Sequence, residues 1–109
     1  MAWLVRGDDV LASIDVADSF GTKLKGLLGR DGIDGALLFN AAGSVHTFGM
    51  RFVIDVAFCD RDLNVLDTIT MPRNRVCLPR RGARRIIEAE AGAFERWHLQ
   101  RGDILEIHP

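Results

Sequence analysis

The sequence predicts a single mainly-β domain, a compact sandwich or barrel carrying one or two short helices. Three observations predict it. Short runs of alternating apolar residues recur between turns marked by Gly, Pro and Asp, the pattern of half-buried strands. Strand-length runs do not alternate with long helical ones, which sets aside a βαβ fold. At 109 residues with 48% apolar side chains, the chain suits one domain with one modest core.

Ala2 to Arg6 forms a first short strand, and Asp8-Asp9 supplies a turn. In Val10 to Val16, Val10, Ala12, Ile14 and Val16 alternate with Leu11, Ser13 and Asp15, as in a half-buried strand. Asp18 or Ser19 can cap a short helix, in which Phe20, Leu24, Leu27 and Leu28 share one face and Gly29 ends it. Ala36 to Phe39 is a short apolar strand followed by a small-residue loop. Phe52 to Cys59 is the strongest strand. Phe52, Ile54, Val56 and Phe58 line one face, and Val53, Asp55, Ala57 and Cys59 line the other. Both faces are largely apolar, so the strand is central and covered on both sides. Val65 to Met71 returns as its hairpin partner. Pro72 to Gly82 reads as a loop. Arg84 to Ala91 is another strand, with Ile87 and Ala89 opposite Ile86, Glu88 and Glu90. A helical turn through Phe94, Trp97 and His98 and a final strand, Ile104 to Ile107, complete the chain.

Fifteen acidic and fourteen basic side chains nearly cancel. No global field steers the protein to nucleic acid or anionic lipid. The apolar start MAWLVRGDDV stops at Arg6, short of the apolar core a secretory signal needs. The longest uncharged run, Gly35 to Met50, is polar in places and shorter than a membrane span. A cytoplasmic location is the expectation. Cys59 and Cys77, with seventeen residues between them, form no CxxC pattern and read as two reduced thiols.

The order of landmarks carries a resemblance. KGLLGR (Lys25 to Arg30) precedes LLF (Leu37 to Phe39) and the block HTFGMRFVIDVAFCD (His46 to Asp60), then IIEAEAG (Ile86 to Gly92) and RGDILEI (Arg101 to Ile107). This succession resembles the domain of unknown function 192 family of small bacterial and archaeal proteins, over about Ser13 to Ile107, and a bacterial protein is expected. The resemblance implies a mainly-β sandwich of jelly-roll-like character with one or two short helices. It implies no activity. The family motif often has Trp where this sequence has Gly49.

Asp55 is the sharpest anomaly, a carboxylate in the middle of the best strand, where isolated burial is costly. An ion pair or hydrogen bond to Arg51 or a distant arginine is the favoured reading; a site acid, base or ligand, and plain exposure, are the alternatives. His46, at the mouth of that strand, reads first as a hydrogen-bonded structural histidine. Beside a carboxylate it could instead serve as a general base or metal ligand. His98 and His108 lie far off in sequence, and without HxH or HExxH spacing no metal is expected. Phe48 and Met50 read as core. Ser44 lies in no GxSxG context, and Cys59 reads as a buried, protonated thiol.

The other local signal is an arginine run. Arg73, Arg75, Arg80, Arg81, Arg84 and Arg85 are half of the twelve arginines, with no acidic residue between them. Guanidinium forks suit phosphate or carboxylate. The run lacks an aromatic residue for base stacking, and such arginines also guard sheet edges in solvent.

Three functions compete. The first is a non-catalytic binding or accessory module whose arginine-rich loop contacts an anionic small molecule or a protein; nucleic acid is less favoured, and no membrane or cofactor is expected. The second is a small hydrolase-like enzyme using His46 and Asp55 in a pocket at the end of the central strand. The third is a structural homo-oligomer, the chain being a monomer or a homodimer.

Overall fold

The alternation in the sequence resolves, in a computed structural model, into strands of a single large sheet. The structure describes residues 2–17, 35–40, 45–46, 52–73, 75–77 and 80–109. In chain order the elements are β1 (Ala2–Arg6), β2 (Asp9–Ala17), β3 (Ala36–Asn40), β4 (Val45–His46) and β5 (Ile54–Cys59). They continue as β6 (Val65–Met71), β7 (Val76–Cys77), β8 (Arg85–Glu90), helix α1 (Ala93–Arg96) and β9 (Glu106–His108). The expected helix over Phe20 to Leu28 lies outside the described residues.

Seven strands form one sheet in the order β6-β5-β8-β3-β2-β1-β9. All neighbours are antiparallel except β2 and β3. Phe52 to Cys59 was expected as the central strand; the ladder holds Ile54–Cys59, and all six residues are buried. Pairing on both sides and apolar residues on both faces account for that. Pro72 to Gly82, expected as loop throughout, contains β7, which pairs with β4 as Val45↔Cys77 and His46↔Val76. Two residues are too short a run for an alternation signal to register.

The two ends of the sheet are stitched together. Asn64, just before β6, bridges Ile104, just before β9. Val65 donates its N–H to Asp103 O at 2.8 Å, Gly102 to Val65 O at 2.8 Å and Leu105 to Leu63 O at 3.0 Å. The sheet therefore rolls around one core, in which Leu4, Ile14, Leu38, Ile87 and Leu105 are at most 2% exposed. Each such side chain contributes roughly 1.5–3 kcal/mol by leaving water. A second core covers the other face of β3, β5, β6 and β8, with Phe39, Ile54, Val56, Phe58, Met71 and Ile86. Arg6 pins β1 to the end of α1. Its Nη2 donates to Trp97 O at 2.7 Å, and its Nη1 to His98 O at 3.1 Å and Asp103 Oδ2 at 3.0 Å.

Burial settles the state of one thiol. Cys59 is fully buried in the first core. Burial, reinforced by the neighbouring Asp60 carboxylate, pushes its pKa up to about 12. Because the thiolate is the nucleophile, Cys59 is expected to resist iodoacetamide at pH 8 in the folded protein and to react in urea. Peptide mass mapping checks this, and folded-state labelling at Cys59 would contradict it. The side chain of Cys77 lies outside the described residues.

Candidate functional site

Asp55 sits on the face of β5 that carries Ala57 and Cys59, and it is 4% exposed. Among the described residues, its hydrogen-bond partners are not arginines but lie on β6 and at the start of α1. Its Oδ2 accepts the backbone N–H of Gly92 at 2.9 Å and of Phe94 at 3.1 Å, and its Oδ1 accepts the Thr70 hydroxyl at 2.7 Å. The first N–H groups of a helix lack intrahelical acceptors, and Gly92 offers no side-chain cap of its own. A carboxylate from a strand 37 residues earlier supplies it. Among the described residues, amide and hydroxyl donors, and no arginine, meet the carboxylate. Arg51 lies outside the described residues, and of His46 only the backbone, in β4, is described.

An open cleft of about 500 Å³ borders this network, lined by Asp55, Thr68, Thr70, Glu95, His98 and Gln100 among others. Thr70 commits its proton to Asp55, so its oxygen faces other groups as an acceptor. His98 holds a left-handed backbone, φ 54°. With two carboxylates and one imidazole, the cleft favours ligands that donate protons or carry positive charge.

The arginine run divides. Arg80 donates Nε to Asp67 Oδ2 at 2.9 Å, and its guanidinium lies 4.8 Å from the centroid of the buried Phe58 ring. This bond holds the Asp67 carboxyl below its usual range. Arg85 donates to Asn40 Oδ1 at 2.8 Å and to Arg61 O at 3.4 Å. Arg73, Arg75 and Arg84 are exposed and line neither cleft.

Arg80 and Arg81 line a second open cleft, of about 510 Å³, together with Arg101, Leu66, Asp67 and Gly102. Arg81 and Arg101 are exposed and make no hydrogen bond or ion pair among the described residues. Three guanidinium groups against one carboxylate leave the cleft two positive charges in excess. Arg101 was missed from sequence because it lies outside the run, sixteen residues beyond Arg85. The turn at Gly102, held by its bond to Val65, brings it across. The signal that could have found it is the Arg-Gly-Asp turn before the last strand. Among the described residues, no three His, Cys, Asp or Glu side chains gather as a metal site, and no helix is long and apolar enough to cross a membrane.

The family model DUF192, Uncharacterized ACR, matches residues 3–107. A UPF0127 protein of Thermococcus kodakarensis is 29% identical over 102 residues, 88% of this chain and 65% of that protein. Another, from Pyrococcus horikoshii, is 33% identical over 96 residues, 83% of each. The chain thus spans just under two thirds of the Thermococcus relative. These relatives are archaeal, so the bacterial expectation does not follow from the likeness. A crystal structure of a protein of unknown function from Novosphingobium aromaticivorans superposes with a TM-score of 0.77. It is 19% identical, and the match covers 96% of this chain and 82% of that one. One of a putative transcription regulator from Sinorhizobium meliloti gives 0.76 at 19% identity, covering 96% and 90%. At that identity the fold is what is shared.

Proposed function

The chain belongs to the DUF192 family, and from that premise we propose that it is a binding module that holds an anionic group between Arg80, Arg81 and Arg101. The observation that carries this reading is the convergence of three guanidinium groups on one open cleft beside a single carboxylate. Arg80 is fixed by Asp67 and Phe58, so part of the site is set before a ligand arrives. Arg81 and Arg101 remain to close on phosphate or carboxylate oxygens, to which guanidinium forks are matched.

Of the six arginines in the run, the reading retains Arg80 and Arg81 and adds Arg101. No observation favours the hydrolase reading, because the Asp55 carboxylate already accepts three hydrogen bonds from the fold. Calorimetric titration with inorganic pyrophosphate tests the proposal. The wild-type protein is expected to bind, and the pair Arg81→Ala with Arg101→Ala to weaken binding at least about tenfold. Since both side chains are exposed, the pair is expected to shift the unfolding midpoint by no more than about 4 °C. No binding to the wild type, or equal binding to the variant, would overturn the reading.

A further inference from the structure

The two clefts meet along the same strand. Asn64, Val65, Leu66 and Asp67 line the arginine cleft, and Thr68, Ile69 and Thr70 line the cleft beside Asp55. Both are bounded on the far side by the segment Glu95 to Gly102. β6 is a terminal strand of the sheet. Its outer edge is engaged at Val65 by Gly102 and Asp103. Beyond Val65, the outward N–H of Thr68 meets only the Asp67 side chain, Oδ1 at 2.9 Å, and no strand among the described residues covers the edge. Such an edge is a template for another extended chain.

Register fixes which face each cleft serves. Asp67 and Ile69 stand opposite Phe58 and Val56, on the side of the second core. Thr68 and Thr70 stand opposite Ala57 and Asp55, on the side of α1. Directly paired residues share a face. Arg80, bonded to Asp67 and set over the Phe58 ring, therefore lies on the second-core side of the edge, and Asp55 with Thr70 lies on the side of α1. A strand added to the edge sends successive side chains to alternate faces. Asp67 and Thr70 are three positions apart, about 10 Å along a strand.

We infer that the β6 edge docks an extended polypeptide segment carrying an acidic and a basic side chain an odd number of positions apart, best three. The acidic group enters the Arg80, Arg81 and Arg101 cleft. The basic group enters the cleft of Glu95, His98 and Thr70, whose hydroxyl oxygen is turned toward it as an acceptor by the bond to Asp55. The backbone bonds of the added strand supply affinity, and the two charges supply register. This rests on the anion-binding reading for one of its two ends.

The experiment titrates ¹⁵N-labelled wild-type protein with an end-blocked octapeptide of valine and threonine holding glutamate and lysine three positions apart. Three comparisons accompany it: the same peptide N-methylated at alternate amides, one with the charges two positions apart, and inorganic pyrophosphate. The expected result is slowed exchange and shifted resonances for the amides of Thr68 and Thr70. The N-methylated and mis-spaced peptides are expected to bind at least tenfold more weakly. Shifts confined to Arg81, Arg101 and Gly102, equal for the N-methylated peptide and for pyrophosphate, would overturn strand docking and keep the anion cleft. Slowed edge amides with equal affinity at both spacings would overturn the charge register. No response to any of the four ligands would overturn both readings.

Discussion

Asp55→Ala is expected to lower the free energy of unfolding by roughly 3 kcal/mol. The substitution leaves the N–H groups of Gly92 and Phe94 and the Thr70 hydroxyl without their acceptor. An orphaned buried donor costs about 1–3 kcal/mol, and bonds to a charged acceptor are the stronger kind. The sum is held to the lower end because the carboxylate borders an open cleft, from which water can partly replace it. Asp55→Asn retains one acceptor oxygen for the two N–H groups, and its amide can donate to the Thr70 oxygen. Its cost is expected to be about 1 kcal/mol. Urea unfolding of the two variants checks the pair, and hydrogen exchange at Gly92 and Phe94 localises the effect. An alanine variant within about 0.5 kcal/mol of wild type, the range of an ordinary surface change, would contradict the capping role.

Gly35→Ala is the second large effect, with an expected loss of roughly 2–4 kcal/mol. Gly35 leads into β3 with φ 73°, where an L side chain costs about 1–2 kcal/mol by itself. A methyl group there would also fall on the backbone carbonyl and the hydroxyl of Ser13. Ser13 belongs to β2, the parallel neighbour of β3, so relief requires the junction to move. Gly7→Ala isolates the backbone part, because Gly7 has φ 59° and open space around it. It is expected to cost only that backbone part, about 1–2 kcal/mol. Thermal unfolding of both variants compares them, and equal losses would show that the close approach to Ser13 does not matter.

The parts of this protein legible in its sequence are those in which neighbours along the chain carry the signal. β2, β5, β6 and β8 follow from alternation within a few residues, and the burial of both faces of β5 follows from its composition. Asp55 was visible as an anomaly for the same reason. Its partners were not, because two of them are backbone N–H groups far along the chain, and an amide leaves no mark in the choice of side chain. Glu88 was read only as one face of a strand, yet it is 1% exposed, buried on the side of Ile86. Alternation assigns a face but cannot say that the face is covered. The arginine run drew notice by its density. Only two of its members reach the cleft, and the third guanidinium comes from the turn before β9. Convergence of that kind depends on how the sheet closes.

That closure bears on how fast the chain reaches its native state. β1 pairs with β9, setting Trp3 beside His108, and the bridge of Asn64 to Ile104 needs the same late segment. Loop-closure entropy must be overcome before contacts so distant in sequence stabilise anything. Topologies dominated by such pairings fold in milliseconds to seconds, where local helical ones take microseconds. On a ribosome, at roughly 5–20 residues per second, β1 waits several seconds for its second neighbour. During that interval the edge of β1 is open, and Trp3, 41% exposed even in the finished fold, stands on the strand that waits.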